Sequence, residues 1–433
     1  MAWLLALSAC QTASLPAPAE LSPQPTWISA ALPSAPAPTY TPHPTALPLP
    51  LASPTTDLTD LARDLKVALS AKLTPTATPF PGEAEAFLGI KAVGVLPLSI
   101  STPDRPLWIA YSIGSRSYNP LQSHFVALYT RNQEGFQELS RVDLAFADTL
   151  QAGAVQEAPM AAGESWLQVT SGSGAHSGCL DLFRVRPEGL EKLISHCSSY
   201  PQAGELLDLD HDGQPEALLN LSDAYIFCFA CNLSLPNYQA WRWQGDGLAK
   251  IQLAEAVQST SPLAKEANRL AVQLAQADLW LDGWEVIQEA QRLDKDNEAI
   301  RWNRLLIQLI LTRRQEATAS SSYPLLAHLF YGDYPAIMQI FSAVKPSEVF
   351  SPHTPLVKGT IAEGYPLALQ EQLLAFSERA LQAQPENAAA HFVRGWALYL
   401  AAPGTNSWIS EIETAARLAP HDDFLQRCLA YIK

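Results

Sequence analysis

The spacing of apolar residues divides the chain into three regimes. From residue 84 to about 256 they come in short runs cut by Gly, Pro, Asn and Asp, the pattern of strands and turns. From about Ser261 the period becomes helical. Leu270, Ala271 and Leu274 fall on one helix, and Gly283, Ile287 and Ala290 on a second. Gly395, Ala397 and Leu398 share a later helix, and Ile412 and Ala415 the next, with Pro420 just beyond. Between residues 301 and 365 the pattern is irregular, broken by Pro335, Pro346 and Pro352. Residues 11–83 show neither period, save one island. Leu58, Leu61, Leu65, Ala68 and Leu69 recur at helical spacing behind Thr56 or Asp57 as N-cap. A short lone helix is marginal in water, so the preferred reading is a transient helix. The second reading is a helix docked on the folded part. The fold class is therefore multidomain, β plus α: a β domain over 84–256 and a helical array over 257–433.

The β region is self-similar. Leu182 to Leu193 aligns without gaps on Ala240 to Ile251, and Leu128 to Leu139 is an earlier copy. Each copy is an aromatic strand, an acid-glycine turn and a second strand, and the glycine suits a left-handed turn position. A further apolar strand precedes each hairpin: Leu107 to Ala110, Trp166 to Val169, and Ala217 to Leu219. The unit of about 55 residues is near the size of a propeller blade, but a closed propeller needs at least about four. A β-sandwich-like or incomplete propeller-like domain of three hairpin units is expected.

Composition changes the picture at the N-terminus. Residues 11–83 hold fifteen of the 34 prolines, and only 16% of the whole chain is charged. Proline removes N–H donors and fixes φ, so this stretch reads as an extended stalk. Before it, Leu7-Ser8-Ala9-Cys10 resembles the lipobox of bacterial lipoproteins, with residues 1–10 as the signal segment. The resemblance implies lipidation at Cys10 and a protein exported to the cell envelope, held to a membrane through that anchor alone. No Lys or Arg precedes the apolar run, which suggests a start codon further upstream. The net charge of −15 argues against nucleic acid or anionic headgroups as partners.

The sharpest motif is Asp208-Leu209-Asp210-His211-Asp212-Gly213-Gln214-Pro215-Glu216. Alternating carboxylates on a tight loop can converge on a hard cation, Gly213 permits the bend, the Gln214 carbonyl can add a ligand and Glu216 closes the set. It is not an EF-hand, because the twelfth position is Leu219. It resembles the calcium loop of FG-GAP and related propeller repeats, with Glu216 where aspartate is usual. That implies one structural calcium ion on Asp208, Asp210, Asp212, Gln214 and Glu216. Cys179 and Cys197 are symmetric about Glu188, which places them opposite in a regular hairpin. They and Cys228 with Cys231 read as disulfides in an exported protein, with a four-cysteine zinc site as the alternative.

The helical spacing resembles that of tetratricopeptide (TPR) repeats, in which small residues let paired helices approach. Trp408 stands where a small residue is usual, so packing there is in doubt. No phosphate-binding glycine loop, zinc-protease motif or serine-hydrolase elbow occurs, and Gly172 to Gly178, with its serines and His176, reads as a loop between strands. The expected function is non-enzymatic: scaffolding, with a protein or peptide ligand on the helical array. The alternatives are carbohydrate or ligand binding through Trp241 or Trp243, and an enzyme with an unrecognised site. The β and helical modules are expected to have separate cores.

Overall fold

The computed structural model describes residues 58–71, 89–102, 104–115, 123–158, 160–161, 163–174, 176–224 and 232–433. The lipobox with Cys10, the pair Cys228 and Cys231, and the rest of the proline-rich stretch lie outside them.

The β region opens with β1 Gly89–Pro97, β2 Leu107–Ser115, β3 His124–Asn132, β4 Gly135–Leu144 and β5 Thr149–Leu150. It continues with β6 Val155–Ala158, β7 Ser165–Ser173, β8 Ser177–Arg186 and β9 Gly189–Ser198. All nine join one antiparallel sheet, ordered β4-β3-β2-β5-β7-β8-β9, with β1 on β2 and β6 on β7. The sheet curls into a half-barrel that brings β9 back to β4, where the Leu190 N–H donates to Ser140 Oγ at 3.2 Å. A Cβ at Gly189 would lie 3.2 Å from that of Ser140. The glycine expected to serve a left-handed turn does so at Gly135, with φ 127°. Gly189 instead permits the approach of one strand to another.

Strand β2 explains why its apolar run has no gaps. Leu107, Ile109 and Tyr111 face the inside of the curl with Val126, Leu128, Leu167 and Phe183. Trp108 and Ala110 face out, and that face is covered by α1 Leu58–Ser70. Both faces are dry, so alternation is lost. Leu61, Leu65 and Leu69 pack against Trp108, Phe125 and Tyr129. The transient reading of this helix is corrected: the sheet supplies the burial that an isolated helix lacks.

The outer face of β7, β8 and β9 carries Trp166, Leu180, Leu182 and Ile194. A second sheet covers it, ordered β10 Gly204–Leu207, β11 Glu216–Asn220, β14 Tyr238–Trp243 and β15 Leu248–Lys250. Two short strands, β12 Asp223–Ala224 and β13 Ser234–Leu235, pair separately. All three aligned segments are antiparallel hairpins: β3–β4, β8–β9 and β14–β15.

The helices are α2 Pro262–Gln276, α3 Trp280–Leu293, α4 Glu298–Ala319, α5 Pro324–Leu329 and α6 Tyr334–Ser342, followed by the single turn α7 Pro346–Val349. After a 3₁₀ turn come α8 Pro366–Ala383, α9 Ala388–Ala401, α10 Ser407–Leu418 and α11 Asp423–Ile432. Ser261, Asn297, Asn387 and Asp422 cap α2, α4, α9 and α11, each side chain accepting from a backbone N–H three residues on. At Gly283 a Cβ would lie 3.2 Å from the Ala271 carbonyl oxygen, and at Gly395 2.8 Å from Ile412 Cδ1. These are the close approaches expected of small residues in paired helices. Trp408 is accommodated: its ring stacks on Phe350 at 5.1 Å and its N–H donates to the Pro403 carbonyl at 3.2 Å.

The modules do not have separate cores. Leu218, Ala240 and Ile251 of the β region share a cluster with Trp302, Leu306 and Leu309 of α4. Helix α4 is fastened to the second sheet at both ends. At its start Glu298 pairs with Arg242 at 2.7 Å and Arg301 with Asp210 at 3.4 Å. Near its end Arg313 pairs with Glu205, Arg314 Nε donates to the Pro236 carbonyl at 3.1 Å, and Asn232 donates to the Ser320 carbonyl. The connector is gripped as well. Asn303 accepts from the Ala254 N–H at 2.8 Å, and Asn268 and Asn303 both donate to the Ala254 carbonyl, at 2.9 and 2.6 Å. Both asparagines are fully buried, so these bonds satisfy polar groups that water cannot reach.

Candidate functional site

The acidic loop joins β10 to β11, and its shape is set by its own side chains. Asp208 accepts from the N–H groups of Asp212 and Gly213, at 3.1 and 3.0 Å. The Asp212 carboxylate accepts from the Gln214 N–H at 2.7 Å. Gly213 takes φ 88°, as the bend requires, and His211 is left-handed too, at φ 60°. Glu216, the first residue of β11, turns back to accept from the Leu209 N–H at 2.9 Å.

Of the predicted ligands, the loop brings Asp208, Asp210 and Glu216 together, with one oxygen of each within 4.8 Å of the others. Asp212 lies outside that trio, its carboxylate closing the turn at Gln214. The Asp210 side chain is 5% exposed and its Oδ1 is buried with no hydrogen-bond partner among the described residues, a costly state for a carboxylate. Burial pushes the Glu216 carboxyl up to about 7, and the charges of Asp210, Asp212 and Asp208 add to this against the Leu209 N–H. A divalent ion fits these features, because it would give the orphaned oxygen a partner and relieve the mutual repulsion. Each carboxylate retains lone pairs beyond its present contacts.

One participant was not legible in the loop. Arg301 of α4 reaches Asp210 Oδ2 at 3.4 Å. It stands 91 positions away on another module, and the only local hint was a basic residue in the first turn of a helix. A cation at the trio would compete with this guanidinium for Asp210.

Cys179 and Cys197 face each other across β8 and β9 and form a disulfide, with Sγ atoms 2.00 Å apart. Trp241 and Trp243, the aromatics of the carbohydrate reading, are half-buried against the cluster between the sheets. Trp243 meets Trp166 edge-on at 4.8 Å and Arg184 lies 4.9 Å above its ring. Both rings pack against that cluster. Among the described residues, no helix is long and apolar enough to cross a membrane.

On the helical region, α6, the start of α9 and the start of α11 enclose a groove of about 680 Å³. Tyr334, Pro335, Met338 and Phe424 give it apolar walls, and Asp282, Asn387 and Arg427 line it with polar groups. Burial raises the Asp282 carboxyl above its ordinary range, against a hydrogen bond of 2.7 Å from the Gln384 amide.

No protein-family model matches this chain, and a search of curated proteins finds no match.

Proposed function

We propose that this chain is a non-enzymatic binding or scaffolding protein of the cell envelope, anchored by a lipid on Cys10. In this reading, three similar hairpin units build the β domain as a half-barrel with a covering sheet, and the helices form a TPR-like array that binds a peptide. The groove between α6, α9 and α11 carries the reading. Its volume is in the range of ligand sites, and its mix of apolar wall and polar rim suits a peptide. The close helix approaches at Gly283 and Gly395 support the TPR-like part. The unit repeat is supported by matching register shifts, at Leu128/Tyr129 and Leu182/Phe183, in aligned segments. A calcium ion on Asp208, Asp210 and Glu216 would be structural, holding the loop that meets α4.

The test is a selection of displayed random peptides against the immobilised full chain. Met338 is half-buried in the groove wall, so Met338→Glu should keep the fold and lose the selected peptides. Peptides that bind Met338→Glu as well as they bind the parent would remove the groove from the account.

A further inference from the structure

A second groove, between α3 and α4, has a different character. Its lining carries Arg292, Lys295, Arg301 and Arg304, and no carboxylate. The chain as a whole has 28 basic residues against 43 acidic ones. Four cations around one groove of about 650 Å³ are therefore a local inversion of the molecule's charge. The residues form one stripe on each helix: Trp284, Gln288 and Arg292 at helical spacing on α3, and Arg301, Arg304 and Gln308 on α4. They point into a shared cleft, with Lys295 at the turn between them.

The four cations are not equally engaged. Arg292 is held bidentate by Glu289, with both contacts at 2.7 Å, and Arg301 leans on Asp210 at 3.4 Å. Lys295 and Arg304 have no ion pair among the described residues, and Arg304 reaches the Gln308 amide at 3.4 Å. Two cations without ion pairs, one at the turn and one on α4, reinforced by two paired ones, favour an anionic occupant with more than one charge. The remaining lining narrows its class. The Gln288 and Gln308 amides can each donate to and accept from a peptide group. Trp284 offers a half-buried ring to a side chain.

We propose that the α3–α4 groove binds an acidic peptide segment. The site is separate from the α6–α9–α11 groove and stands or falls independently of it. A polyanion must approach against a net charge of −15, so only a local cationic site can hold it.

The probe is a dye-labelled octaglutamate, titrated with the full chain and followed by fluorescence anisotropy, with octaglutamine as control. Octaglutamate should bind, octaglutamine should not, and the affinity should fall as salt rises. Lys295→Glu with Arg304→Glu should weaken binding by roughly tenfold or more. Both side chains lie outside the core clusters, and the melting temperature of the variant reports whether the fold is kept. Met338→Glu should leave octaglutamate affinity unchanged. An affinity indifferent to the double charge reversal overturns the site. Binding of polygalacturonate, with none of octaglutamate, overturns the peptide as occupant.

Discussion

Asp210 is the residue on which opposite demands meet. One oxygen is buried and unpartnered, and the other is shared with Arg301. If a cation completes this arrangement, calcium at a hundredfold excess over Kd should stabilise the protein by about 2.7 kcal/mol. Thermal melts of chelator-stripped protein, with and without millimolar calcium, measure this. Asp210→Ala should erase the response, and an unchanged melting temperature in the parent would leave an acidic turn that closes on itself. Glu216 adds a pH signature. Its carboxyl is raised from an ordinary 4.5 to about 7. The native state therefore holds its proton more tightly than the unfolded state does. In chelator, its contribution to stability is complete below pH 4.5 and is lost as pH rises to about 7. Glu216→Gln should flatten that part of the stability–pH curve. The loop's turn chemistry was legible in the sequence, because every group lies within nine residues, but Asp212 was set beside Asp208, Asp210 and Glu216 and its carboxylate closes the turn instead. Arg301 was not legible, because its place depends on how α4 docks.

At the scale of elements, local pattern was a good guide to what forms and a poor one to what it touches. Strands, hairpins and close helix approaches followed from short apolar runs, turn residues and small side chains. The position of α1 did not, because its stability comes from burial against the sheet and not from its own residues. Leu65 is fully buried beneath it. Leu65→Ala should cost about 2–5 kcal/mol in urea denaturation of the full chain, and a negligible loss would mean the helix is dispensable to the fold. The disulfide carries a subtler lesson. Symmetry about Glu188 pairs Cys179 with Cys197, but the turn is two residues long, with Arg186 opposite Gly189. A regular hairpin on that turn would set Cys179 against His196. The register shift at Leu182/Phe183 moves the pairing by one and brings Cys197 into place. The symmetry gave the right partner without the bulge that produces it.

For the molecule as a whole, the shared core between the second sheet and α4 decides how it unfolds. Trp302 is 5% exposed there, with Arg242 and Arg301 at 4.9 and 5.7 Å from its ring. Trp302→Ala should destabilise by about 3–5 kcal/mol. Hydrogen exchange should then accelerate in β10, β11 and β14 together with α2 to α4, as one cooperative unit. Faster exchange in the helices alone would restore the picture of independent modules.

Helix α4 has 22 residues and so runs about 33 Å, bolted to the second sheet near each end. A joint fixed at one point can pivot, but a beam fixed at two cannot. The β region and the α2–α4 helices should therefore tumble in solution with a single rotational correlation time. A load applied to one would reach the other without slack.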